Sequence, residues 1–202
     1  SHTIAHAFFG HKHEDEFQIW YEMSNGNSSS VSRKTQDARA MAFIAPSVTP
    51  LSNVNPSLRV YEVDPETYEV MDYEQYYTQL YGVNKLNGTG PSWNLLYTAR
   101  DAYANFSASQ AKGTYAAPVQ LDDGVWPKGA PLNASFWAAL TDEMEARPEL
   151  IEMHQLYQGR NSPRSPACDT EECHKAKLCY MRSASSNLGR HCPPGFGSVQ
   201  SF

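Results

Sequence analysis

The sequence predicts an α/β protein, with strands in its first third and helices in the remainder. Three observations carry this prediction. Phe17, Ile19 and Tyr21 alternate with Gln18, Trp20 and Glu22, and Leu58 to Val63 alternates in the same way, the period of a half-buried strand. Phe136, Trp137, Leu140 and Met144 then recur at helical spacing within Asn133 to Ala146, as do Leu150, Met153, His154 and Tyr157 within Pro148 to Gln158. Gly- and Pro-rich connections such as Gly113 to Pro118 and Gly124 to Pro131 separate the second set of segments.

Taken in order, Ala5 to Phe9 is a short, largely apolar strand that ends at Gly10. Its composition suits a strand covered on both faces, hence an interior strand of a larger sheet. Phe17 to Tyr21 is the second strand. The polar stretch Ser24 to Gln36 reads as an exposed hairpin loop. Met41 to Ala45 is a strand stopped by Pro46, and Ser47 to Ser57 is a structured loop rich in turn formers. Leu58 to Val63 and Tyr68 to Asp72 form two further strands around the turn Asp64-Pro65-Glu66. Trp93, Leu95, Leu96 and Ala99 fit a helical stripe, and Pro148 suits the first turn of a later helix. The tail from Pro193 reads as loosely ordered.

Composition narrows the classes of function. A formal net charge of −6 disfavours binding to a nucleic-acid duplex. No apolar run approaches the roughly 20 residues that span a bilayer, and Ser1 to Gly10 lacks the charge-then-apolar pattern of a signal peptide. Four open sequons, at Asn27, Asn87, Asn105 and Asn133, point to N-linked glycans and a secretory or lumenal compartment, whereas Asn55-Pro56-Ser57 is blocked by its proline. The four cysteines, Cys168, Cys173, Cys179 and Cys192, suit two local disulfides, for which sequence alone allows three pairings. With His174 and His191 they also include ligand types for a structural zinc, but the spacing is irregular and lacks Cys-x-x-Cys.

The stretch richest in chemistry is Phe8-Phe9-Gly10-His11-Lys12-His13-Glu14-Asp15-Glu16-Phe17. In an extended segment, residues two apart face the same way, so His11 and His13 can converge on metal. Gly10 would let the backbone approach closely. Neutral imidazole suits zinc, manganese or iron, and Glu14, Asp15 and Glu16 are candidates to orient the rings. The plain alternative is a pair of histidines on a solvated acidic surface. Arg59 is a candidate phosphate contact, although an arginine on a strand more often pairs with an acid. Trp93, Trp126 and Trp137 read as core or rim aromatics, and His2 and His6 as structural.

Gly10-His11-Lys12-His13 after an apolar strand resembles the last metal-binding motif of the calcineurin-like metallophosphoesterases. The longer string through Phe17 resembles acid sphingomyelinase and its phosphodiesterase relatives. So do Ala45-Pro46-Ser47-Val48-Thr49, Asn55-Pro56-Ser57-Leu58-Arg59-Val60-Tyr61, Trp93-Asn94-Leu95-Leu96-Tyr97 and the segment Cys168 to Cys192. The resemblance implies the C-terminal strands of a four-layer β-sandwich within residues 1–80, followed by a disulfide-stapled, mostly helical subdomain within 81–202. It implies pairs Cys168–Cys173 and Cys179–Cys192, and a Ser47 to Pro56 loop beside the substrate cleft. It further implies a centre of two zinc ions that activates water against a phosphodiester such as sphingomyelin, with His11 on one ion and His13 on the other.

This sequence departs from the family pattern in one respect. It contains no Asp-x-His or Gly-Asn-His, the motifs that carry other ligands, and no convincing proton donor. Two imidazoles cannot satisfy two zinc ions that each take about four ligands. The expectation is therefore part of a longer enzyme, inactive by itself, whose missing ligands come from upstream sequence or an associated chain. No catalytic residue is assigned here. The rival expectation is a non-catalytic secreted glycoprotein fragment.

Overall fold

The computed structural model describes residues 4–22, 33–51, 53–80, 90–106 and 121–199. The predicted loop around Asn27, the sequon at Asn87, the Gly113 to Pro118 connection and His2 lie outside these residues.

Two three-stranded sheets form among the described residues. The first holds β1 (His6–Phe9), β2 (Glu16–Tyr21) and β3 (Ala38–Ile44) in the order β1-β3-β2. β3 is central, parallel to β1 and antiparallel to β2. The alternation in β2 places Phe17, Ile19 and Tyr21 inside. β3 is the most apolar strand and is buried along nearly its whole length. β1 lies at the sheet edge, with Phe8 56% and Phe9 49% exposed.

The second sheet is antiparallel, in the order β4 (Ser57–Val63), β5 (Val70–Tyr77), β6 (Asn94–Thr98). Asp64 accepts from the backbone N–H of Glu66 and Thr67 at 2.9 and 2.7 Å, which closes the predicted turn. β5 runs further than the Tyr68 to Asp72 prediction. The helical stripe proposed for Trp93 to Ala99 is corrected, because residues 94–98 form a strand and the helix begins only at Ala99. The free edge of β5 offers backbone partners to this segment, and Tyr97 takes an inward position there. Thr98 then caps α1 (Ala99–Tyr103), its hydroxyl accepting from the Asp101 N–H at 3.2 Å.

α2 (Ala134–Ala146) starts where Asn133 caps it by accepting from the N–H groups of Ser135 and Phe136. α3 (Glu149–Gln158), α4 (Glu171–Met181) and α5 (Ser186–Gly189) follow. Pro148 stands just before α3, as its missing N–H allows. The core closes around Trp137. Its ring meets Phe17 at 4.5 Å, Phe43 at 5.7 Å, Tyr73 at 6.1 Å and Tyr103 at 6.0 Å, so one α2 side chain joins both sheets and α1. Trp126 is also buried, whereas Trp93 is 40% exposed.

Disulfides Cys168–Cys173 and Cys179–Cys192 tether α4 to the segments on either side of it. Arg182 ties the end of α4 to α2 through Thr141, Asp142 and Glu145 at 2.8–2.9 Å. The expectation of a loose tail is also corrected. Val199 is buried, its N–H donates to Glu14, and Tyr180 donates to the Pro193 carbonyl at 3.0 Å. A buried carboxylate supplies the tail with the anchor that its Pro- and Gly-rich composition conceals.

Candidate metal centre

The loop from Gly10 to Asp15 leaves the end of β1 and enters β2. It is not extended, as alternation had suggested. His11 and His13 both adopt left-handed backbone conformations, with φ of 74° and 60°. Such values are uncommon for residues other than glycine. Gly10 is not left-handed, and a Cβ built on it would meet no atom within 4 Å. The described residues therefore do not themselves require glycine at that position. The turn is closed instead by the Lys12 N–H donating to the Gly10 carbonyl at 2.9 Å.

The two halves of this loop differ in orientation. His11 and Lys12 are exposed and His13 is half-buried, whereas Glu14, Asp15 and Glu16 are buried. The carboxylates are committed to the interior. Asp15 pairs with the buried Arg59 guanidinium and accepts from the Tyr97 hydroxyl at 2.5 Å. Arg59 in turn lies 4.0 Å over the Tyr73 ring. Arg59 thus occupies a structural ion pair. Glu14 accepts from Gln158 at 2.6 Å, from Ser198 and from the tail N–H of Val199. Glu16 accepts from Lys12 at 2.7 Å and from Gln158 at 2.9 Å.

Burial shifts the groups behind the loop. Desolvation raises Glu16 to about 7, with Lys12 opposing the rise and Glu14 adding to it. Lys177 donates to Gln158 at 2.5 Å, and burial lowers it to about 8 against the pull of Glu16 and Glu14. His154 is lowered to about 4, chiefly by desolvation. It lies in the core against Phe17 and Tyr103, and so serves packing. His6, at the start of the edge strand β1, bonds Glu69 at 2.6 Å, which fits the structural role expected of it.

Of the two imidazoles, that of His13 suits a metal in one observable respect. His13 Nδ1 is buried with no hydrogen-bond partner among the described residues. A buried polar atom without a partner is costly, and metal ligation or a bound water would satisfy it. No group of three or more His, Cys, Asp or Glu among the described residues is placed to hold a metal ion. The cysteines are all paired, which leaves no thiolate for a structural zinc. Of the sequon asparagines described, Asn105 is exposed and Asn133 half-buried. Arg160, which clamps this loop from behind, was not singled out from sequence. Its one signal is a Gly-Arg-Asn run after a helix, which reads as an ordinary polar turn.

An α/β scaffold with an exposed His-x-His turn at a strand end defines the general class, a protein that presents imidazoles from a loop. Comparisons with known proteins narrow it. The family model for the acid sphingomyelin phosphodiesterase C-terminal region matches residues 37–118. Human sphingomyelin phosphodiesterase is 31% identical over 199 residues, covering 95% of this chain and 26% of the relative. Sphingomyelin phosphodiesterase 1 of Caenorhabditis elegans is 29% identical over 195 residues, covering 96% of the chain and 28% of the relative. The cyclic GMP-AMP phosphodiesterase of Mus musculus is 32% identical over 127 residues, covering 60% and 25%. The chain is thus similar to acid sphingomyelinase-like phosphodiesterases along 95% of its length, and its residues 37–118 match their C-terminal region. It spans about a quarter of the length of the sphingomyelin phosphodiesterases it matches.

Proposed function

We propose that this chain is part of a zinc-dependent phosphodiesterase that hydrolyses sphingomyelin or a related phosphodiester. His11 and His13 each contribute a ligand, and upstream sequence or an associated chain contributes the rest. The observation that carries the proposal is the loop itself: an exposed His11 and a half-buried His13, whose Nδ1 is buried without a partner, on a backbone held from within. Bound zinc at such a site supplies Lewis acidity toward a phosphoryl oxygen and makes water more acidic. The chain's own contribution is to fix the imidazoles and to shield their support from solvent.

The same reading makes the two sheets the C-terminal strands of a four-layer sandwich, with residues 1–80 ending the catalytic domain and 81–202 forming the helical subdomain. β6 follows that boundary in sequence yet joins the sheet of β4 and β5. The exposed apolar edge of β1 supports a neighbouring strand from the upstream part. Two disulfides suit a secreted or lysosomal or vacuolar compartment, and the exposed Asn105 suits a glycan. Among the described residues, no helix is long and apolar enough to cross a membrane.

The test uses the full-length protein. His11→Ala and His13→Ala should each lower zinc content and cut sphingomyelin hydrolysis by more than about 100-fold, beyond the loss typical of outer partners. Normal zinc and normal rate in both variants would remove the assignment. A full-length protein without zinc or activity would favour the glycoprotein reading, which the incomplete ligand set keeps in view.

A further inference from the structure

We infer that Arg160 is a positioning residue for the imidazole loop, its buried guanidinium holding the His13 carbonyl and so fixing the ring that the backbone presents. The inference rests on the reading of His11 and His13 as ligands, and it adds a residue that this reading does not contain.

Arg160 is fully buried. It follows α3 and is left-handed, φ 54°, as is Asn161, φ 54°. The N–H groups of both residues bond back to α3, at Tyr157 and Leu156, by 2.9 and 2.8 Å. The side chain thus leaves a rigid helix end. Its Nη1 donates to the His13 carbonyl and its Nε to the Asn55 carbonyl. Asn55 reciprocates, its Nδ2 donating to the Arg160 carbonyl at 3.0 Å and to Gln79 at 2.8 Å, while its Oδ1 accepts from the Leu80 N–H at 3.0 Å. One guanidinium therefore joins the imidazole loop, the loop before β4 and the end of α3.

The chemistry explains the choice of residue. A buried cation is costly to desolvate, and these two partners are neutral carbonyls. A guanidinium offers several N–H groups in a rigid plane, so it can reach two carbonyls at a fixed angle, which a lysine ammonium does not reproduce. The carbonyl of His13 belongs to a residue with uncommon φ, and a bond to it restrains the peptide that would otherwise relax. Side-chain direction follows from that peptide, and ligand direction governs metal affinity.

The test is zinc binding to full-length protein stripped of metal, measured by competition with a chelating dye, with a thermal melt for every variant. Arg160→Met should lower affinity for one zinc by about 10- to 100-fold, the range for outer partners of ligands. Arg160→Lys, which keeps the charge, should fold and lose an intermediate amount. Arg182→Met, which breaks ties of α4 to α2 far from the loop, serves as a destabilised control with unchanged zinc affinity. If Arg160→Met fails to fold, Arg160→Lys decides, and wild-type zinc affinity in that variant overturns the inference. Equal affinity loss in Arg182→Met also overturns it, since the effect would then be general destabilisation. His13→Ala in the same assay separates the two readings. If it binds zinc normally, the metal assignment falls. If it loses a zinc while folded Arg160 variants do not, the positioning role alone falls.

Discussion

The face and the edge of the first sheet are finished to different degrees. Over its face α2 seals the sheet, with Phe136, Trp137, Ala138, Ala139 and Leu140 all buried. At its edge, β1 ends the sheet with Phe8 and Phe9 about half exposed. The imidazole loop leaves from the edge strand β1, while its carboxylates and Arg160 are buried in the interior. The contrast teaches where each part of the site gets its order. Support for the loop is internal to this chain. On the reading proposed above, completion of the site would come from across the β1 edge.

The sealed face should be the less forgiving. Trp137 is fully buried against Phe17, Phe43, Tyr73 and Tyr103, and its indole N–H donates to the Leu132 carbonyl at 2.9 Å. Trp137→Ala should cost about 3–5 kcal/mol, the usual range for deleting a large core aromatic. Loss of soluble expression, or a large fall in melting temperature of the full-length protein, is the expected outcome. A fall of only a degree or two would mean that the two sheets do not depend on this ring.

The open edge offers a sharper contrast. Phe9 is 49% exposed, and its nearest ring partner is Trp20 at 6.5 Å. Were the edge solvent-facing in the full-length protein, Phe9→Ala would change stability by no more than about 0.5 kcal/mol, as surface substitutions usually do. With an upstream strand over the edge, the loss should be about 2 kcal/mol or more. The larger loss is expected, read as a melting-temperature shift. A neutral result would break the comparison, since β1 would then be a true edge.

How far the sequence reveals this arrangement depends on the range of the interactions. β2 and β4 follow from local alternation, β3 from an apolar run stopped by Pro46, and α2 from a 3.6-residue stripe. The paired histidines are visible as residue types, but the sign of their φ is not, because it is set by the bonds around the loop. β6 has only five residues, and the edge of β5 decides its state. The order of the tail comes from Val199 meeting Glu14 across a separation of 185 residues. Arg160 reaches His13 across 147 residues. No local window contains either pair.

The smallest expected effect concerns pH, and it tests the packing behind the loop. Burial raises Glu16 from 4.5 to about 7, so the folded state prefers the protonated acid. Its contribution to stability is fully present below the unfolded value and is lost as pH rises through about 7. His154, lowered to about 4, acts in the opposite sense: its contribution is present above 6.5 and is lost as pH falls through 4. Lys177, lowered from 10.5 to about 8, loses its contribution as pH falls through that value, above the window at issue. Comparing wild type with Glu16→Gln cancels the parts common to both proteins. Relative to the variant, wild type should lose on the order of 1–2 kcal/mol between pH 4.5 and 7.5, a figure kept below the full linkage value because Lys12 and Glu14 respond to the same charge. Melting curves across that range provide the check. Parallel curves would mean that Glu16 titrates as an ordinary exposed carboxylate, and that the interior half of the loop is wetter than its burial indicates.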